Sequence, residues 1–244
     1  MDLSLTKKQQ DLKSDARDFF ERECPTSLVR EMERDERGYP ADLWERMAAL
    51  GWMGLPFPGE YGGGGGSLTD LAVLLEEFGR ALVPGPFFNS VAVVGLTILD
   101  SGSDSQKAEI LPRIADGSLI ATAALLEEDA RYRPGAIRMP LQKRNGGFVL
   151  SGVKMFVECA NSADVILTPA RTSQGGDPED GVALCLIPAS DAGITATSLD
   201  SIARDRQFAL QFKDVSVSQG SILGSEGDGW PILKRALDLS LIHI

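Results

Sequence analysis

Side chains able to act together chemically are sparse in this sequence of 244 residues. Its single histidine, His243, stands next to the last residue, where chains tend to fray. A Ser-His-Asp triad or a histidine-based metal centre would have to be built around it, so both are set aside, and no metal ligand or catalytic residue is assigned. Cys24, Cys159 and Cys185 are odd in number, far apart and without CxxC spacing, which excludes a disulfide framework and a zinc site. The five glycines Gly62–Gly66 could cradle a phosphate on backbone N–H groups. No lysine follows as a P-loop requires, so a flexible lead-in to a helix is the simpler reading. Gly224, Gly227 and Gly229 lack both the GxGxxG order and the βαβ setting of a dinucleotide fold.

Composition narrows the partners. The 35 acidic residues outnumber the 24 basic ones, giving a formal charge of −11. With no Lys/Arg cluster, neither nucleic acid nor an anionic membrane surface is expected to bind. No apolar run approaches the roughly 20 residues of a membrane span, and Met1-Asp2 opens no signal peptide. The sequence thus predicts a soluble, acidic protein of a reducing compartment, the cytoplasm.

The first half has helical periodicity. Thr6-Lys7-Lys8-Gln9 is a capping box ahead of Leu12, Ala16, Phe19 and Phe20 at helical spacing. Pro40 suits a first helical position before a face of Leu43, Trp44, Met47 and Leu50, which Gly51 ends. Ser67 caps a helix whose stripe is Leu68, Leu71, Leu74, Leu75, Phe78 and Leu82, closed by Pro84. Val91–Leu99 forms a short apolar helix, and the box Ser103-Asp104-Ser105-Gln106 opens one that ends near Gly117.

Beyond Gly117 the period shortens. Leu119–Leu126 has strand length, and Ile137–Arg144 and Phe148–Val157 flank Asn145-Gly146-Gly147, a hairpin signal. Val165–Pro169, Val182–Ile187, Ile194–Leu199 and Phe208–Val217 complete the strand candidates. Short strands at close spacing predict an antiparallel sandwich or barrel. From Gly229 a helical stripe returns at Trp230, Leu233, Leu237, Leu241 and Ile244, with no closing cap. The expectation is an α+β chain: a helical domain (1–117), a central β domain (118–225) and the first helix of a truncated helical domain (226–244).

Three stretches in this order resemble the acyl-CoA dehydrogenase family. Glu60-Tyr61-Gly62-Gly63 leading into Glu76-Glu77-Phe78-Gly79-Arg80 is similar to its EYGG loop and following helix. Leu150-Ser151-Gly152-Val153-Lys154-Met155-Phe156-Val157, then Ala163-Asp164, looks like its L-x-G-x-K-x-W-I segment. Phe212–Val217, Leu223-Gly224 and Gly227-Asp228-Gly229 resemble its F-x-x-V-x-V…LG…GxG passage.

The resemblance implies FAD as cofactor, an acyl-CoA as substrate, an electron-transfer protein as acceptor and assembly as a homo- or hetero-oligomer. The implied reaction is α,β-dehydrogenation of a thioester, hydride passing to the flavin. It also implies that Ala124, Leu126, Glu127, Phe156, Val157 and Glu158 border the flavin, Phe156 packing on the ring. A buried strand residue is the alternative reading of Phe156.

Departures from the family stand out here. Glu127 and Glu158 fall where it carries Thr, Asp129 where it carries Pro, and Cys159 where it carries Asn. Two carboxylates beside a ring that gains negative charge would oppose its reduction, so they must turn away, onto Arg131 or Arg133, or weaken flavin binding. The segment Leu237-Asp238-Leu239-Ser240 offers no base, since Asp238 reads as a solvent-facing acid, and the chain is expected not to turn over. Other readings are a non-catalytic partner subunit, a flavin monooxygenase or nitroalkane oxidase of the same fold, and a flavin-free binding module.

Overall fold

In the computed structural model, residues 4–144, 146–173 and 176–240 are described. Met1, Asp2, Asn145, Leu241, His243 and Ile244, invoked above, lie outside them. Helices α1 (Lys7–Glu23), α2 (Thr26–Met32), α3 (Ala41–Ala49) and α4 (Leu68–Ala81) open the chain. A π-helical stretch, Phe88–Gly95, runs directly into α5 (Leu96–Ser101), and α6 (Asp104–Ala115) follows. The strands are β1 (Ala121–Ala123), β2 (Leu141–Arg144), β3 (Gly147–Glu158), β4 (Val165–Arg171), β5 (Val182–Pro188), β6 (Ile194–Leu199), β7 (Gln207–Val217) and β8 (Ile222–Leu223). Helix α7 (Gly229–Ser240) comes after the sheets.

Local chemistry sets the helix starts. The boxes at Thr6 and Ser103 form as predicted, and Ser67 makes a third with Asp70. The predicted stripes fail at their ends. Leu71, Leu74 and Phe78 are buried, whereas Leu68, in the first turn, and Leu82, a left-handed C-cap at φ 53°, are exposed. Leu50, the C-cap one step past α3, is exposed as well. Edge-on aromatic packing of Phe20 on Phe78, with ring centroids 4.8 Å apart, joins α1 to α4.

The glycine run is neither a flexible lead-in nor a phosphate cradle. The N–H groups of Gly63, Gly64, Gly65 and Gly66 donate to the carbonyls of Pro58, Gly54, Phe57 and Leu55. A Cβ at Gly63 would lie 2.0 Å from the Phe57 carbonyl oxygen. The loop is a packed plug with no donors to spare.

Two four-stranded sheets, ordered β1-β4-β5-β8 and β2-β3-β7-β6, face each other over an apolar layer that includes Leu150, Val157, Ile187, Leu210 and Phe212. Pairing is antiparallel except between β1 and β4, which run parallel. A second core joins the helices to the outer side of the first sheet, taking in Leu167, Leu184 and Leu223 with Trp230 and Leu233 of α7. No helix among the described residues is long and apolar enough to cross a membrane.

Candidate functional site

Where the π-helical stretch, the strand ends and α7 meet, a cleft of about 500 Å³ opens. Phe88 and Asn89 contribute one wall, Leu126 and Phe156 another, and Trp230 a third; Tyr132, Glu158, Lys234 and Asp238 bring polar groups to it. Two hydroxyls set this geometry. Buried Ser90 mimics a strand neighbour to β1, donating to the Ala121 carbonyl at 2.8 Å and accepting its N–H at 2.9 Å. Thr122 Oγ1 donates to the Glu158 carbonyl at 2.6 Å, fixing the end of β3 beside β1.

A β-bulge turns Phe156 into the cleft. Phe148, Leu150 and Lys154 are buried at even positions of β3, an alternation that would also bury residue 156. On β7, however, Lys154 pairs with Leu210 and Val157 with Phe208, so β3 carries one extra residue there. Phe156 adopts φ 57° and is 44% exposed, while Val157 takes the inward place and is fully buried. The buried-strand reading of Phe156 is thereby overturned. The Met155 N–H, released from β7, donates to the Leu126 carbonyl at 2.8 Å, stitching the bulge to the segment after β1.

Glu127 turns away from the cleft, though not onto Arg131 or Arg133. Its Oε1 accepts from Lys154 Nζ at 2.9 Å and from the Met139 N–H at 3.0 Å, and the Arg138 N–H lies at 3.0 Å. The Lys154 side chain is wholly enclosed. Burial pushes its ammonium below the usual lysine value, and the Glu127 charge and hydrogen bond oppose that shift. Arg133 lies instead 4.0 Å from Asp129, with Arg138 at 3.9 Å on the same carboxylate.

Glu158 stays in the cleft. Its Oε2 accepts from Asn89 Nδ2 at 2.8 Å. The surrounding protein raises its carboxyl above the ordinary glutamate value, Asn89 opposes that and Asp205 adds to it. Solvent still reaches the side chain. Neighbouring Cys159 is buried, and its thiol is pushed up to about 12. Desolvation, then the charge of Glu158, raises the phenol of Tyr132.

Of the six residues expected at the ring, Leu126, Phe156 and Glu158 thus meet in one cleft. Ala124 and Val157 are fully buried in the sandwich core, and the Glu127 side chain is committed to Lys154. Asp238 is exposed, yet borders the same cleft. Asn89 and Trp230 on the walls and Lys154 behind them escaped the sequence reading. For Lys154 the signals were its match to the lysine of the family segment and a charged residue at a position that alternation buries.

Comparison with known proteins decides the family. The sequence profile of the acyl-CoA dehydrogenase N-terminal domain matches residues 6–118, and that of the middle domain matches residues 122–215. The chain belongs to the acyl-CoA dehydrogenase family. It is 30% identical to acryloyl-CoA reductase (NADH) of Anaerotignum propionicum over 100% of its own length and 63% of that protein's. It is 28% identical to an acyl-CoA dehydrogenase of Bacillus subtilis, with 99% and 64% covered. Butyryl-CoA dehydrogenase of Megasphaera elsdenii superposes with a TM-score of 0.87 at 27% identity, covering 99% of this chain and 65% of that one. The chain therefore spans somewhat less than two thirds of each of these acyl-CoA dehydrogenase-like relatives.

Proposed function

We propose that the cleft receives the flavin ring of FAD, and that the protein takes part in α,β-dehydrogenation of an acyl-CoA thioester. One observation carries this reading: the bulge in β3 presents Phe156 outward, against the strand alternation, beside Leu126 on one wall of the cleft. An aromatic held at positive φ is costly, and such strain persists where it serves a site. The residues suit the group in three further ways. The walls are mainly apolar. Trp230 Nε1 is buried with no acceptor among the described residues, a donor that a ligand can satisfy. Lys154 has drawn the Glu127 charge away, and the surroundings of Glu158 raise its carboxyl above the ordinary glutamate value.

Bound FAD supplies the acceptor for the substrate's hydride. This chain's residues would do the rest: Phe156 and Leu126, on one wall, would pack against the ring and orient it, and the apolar walls would exclude water. Asn89 and Glu158 meet its polar edge. A separate carboxylate must remove the α proton. Among the described residues the cleft's carboxylates are Glu158, tied to Asn89, and exposed Asp238. We assign neither as base, and expect the 244-residue chain to bind FAD without sustained turnover. An electron-transfer protein would reoxidise the flavin in the working assembly.

The test is spectroscopic. FAD-loaded protein titrated with a panel of acyl-CoAs is expected to show a perturbed flavin absorption band. No change with any acyl-CoA would reject the substrate class, and steady turnover would reject the inactivity. A second reading, a flavin-holding subunit that works beside a catalytic paralogue, is favoured by the Glu127 and Glu158 departures, of which Glu158 keeps a carboxyl in the cleft. Activity that appears only when a second dehydrogenase chain is added would select it.

A further inference from the structure

Glu158 has the chemistry to make cofactor binding depend on proton concentration. Its carboxyl borders the cleft two residues beyond the outward-turned Phe156. One oxygen, Oε2, is fixed by Asn89 at 2.8 Å, and the strand end carrying the residue is pinned by Thr122 at 2.6 Å. The group is therefore placed by two hydrogen bonds from different elements and does not swing freely. Tyr132 from the loop after β1, Cys159 next in the chain and Asp205 ahead of β7 also face it. Lys234 and Asp238 of α7 share the cleft.

A carboxylate offers only acceptor atoms, whereas the acid offers one O–H. A flavin edge bearing carbonyl oxygens and gaining negative charge needs donors. We propose that Glu158 contacts the flavin as a carboxylic acid, Asn89 holding one oxygen while the other carries the proton, so that FAD binding takes up a proton. This rests on the flavin reading above. One proton passes to Glu158 from hydronium or a buffer acid, the donor's bond to hydrogen breaking as the carboxyl O–H forms; no other covalent bond changes, and that O–H is shared with the ligand. Affinity then falls as pH rises past the carboxyl's titration in the free protein.

FAD titrations followed by flavin fluorescence, from about pH 5 to about pH 8, read this directly. For the unmodified chain the dissociation constant is expected to rise by about tenfold per pH unit on the alkaline side. Calorimetry in buffers of different ionisation enthalpy should report uptake of about one proton there. Glu158→Gln, which keeps a donor but cannot ionise, should bind tightly with a flat profile. Glu158→Ala should be flat but weaker. A flat profile for the unmodified chain, or an undiminished slope in Glu158→Gln, would overturn the proposal and leave the flavin reading intact. Absence of FAD binding by every variant at every pH would overturn both.

Discussion

Lys154 and Glu127 form an ion pair at 2.9 Å, with the lysine side chain fully enclosed between the sheets and the loop after β1. Removing one member of such a pair leaves the other uncompensated, at a cost of about 3–5 kcal/mol. Glu127→Gln is therefore expected to lower unfolding free energy by about 3 kcal/mol in urea titrations, and adding Lys154→Met should recover much of it. An additive double variant would deny the coupling. The pair also has a pH signature. Lys154 in the folded protein holds its proton less tightly than at the ordinary value of 10.5, so in the alkaline window below that value the unfolded chain binds more protons. Stability from this group rises with pH there, and more steeply in Glu127→Gln, where the counter-charge is gone.

Phe156 is held at φ 57°, a conformation that costs a non-glycine residue roughly 1 kcal/mol or more. Phe156→Gly and Phe156→Ala both remove the ring but differ in that strain. Thermal unfolding should find the glycine variant more stable by about 1 kcal/mol. Equal stabilities would mean that the bulge carries no strain.

Gly63 is enclosed by the carbonyls of Phe57 and Gly54. Gly63→Ala drives a methyl into backbone that cannot move aside and is expected to destabilise by about 3 kcal/mol. The change should be visible as a lower urea midpoint. A tolerated alanine would restore the flexible reading of the glycine run.

Glu77 is buried between Arg17 and Arg80, and its hydrogen bond to Arg17 holds its carboxyl below the ordinary value of 4.5. The folded state therefore binds this proton less tightly than the unfolded chain. Its contribution is full above that ordinary value and is lost as pH falls through the folded one. Glu77→Gln should flatten the acid limb of the stability profile, read as unfolding midpoint against pH. An unchanged limb would assign acid unfolding to other carboxylates.

Legibility in the sequence followed the range of the interaction. The caps at Thr6, Ser67 and Ser103 act over three residues and could be read directly. Strands β5 and β7 announced themselves by composition. The parallel pairing of β1 with β4 and the short strand β8 depend on distant partners and left no local pattern. At the cleft, the resemblance located the right segments but not which side chains faced outward. One extra residue in β3 exchanged the roles of Phe156 and Val157, and the segment after β1 turned Leu126 outward and Glu127 inward. Lys154, the partner that explains Glu127, is 27 residues away.

The central claim is that the outward face of the β3 bulge receives a flavin. Calorimetric titration with FAD tests it most directly on the unmodified chain, on Phe156→Ala, and on Val153→Ala, an exposed position on the same strand that does not line the cleft. The account predicts saturable binding of one FAD per chain, weakened about tenfold or more by Phe156→Ala and unmoved by Val153→Ala. Binding that is absent, or that ignores Phe156, would contradict it.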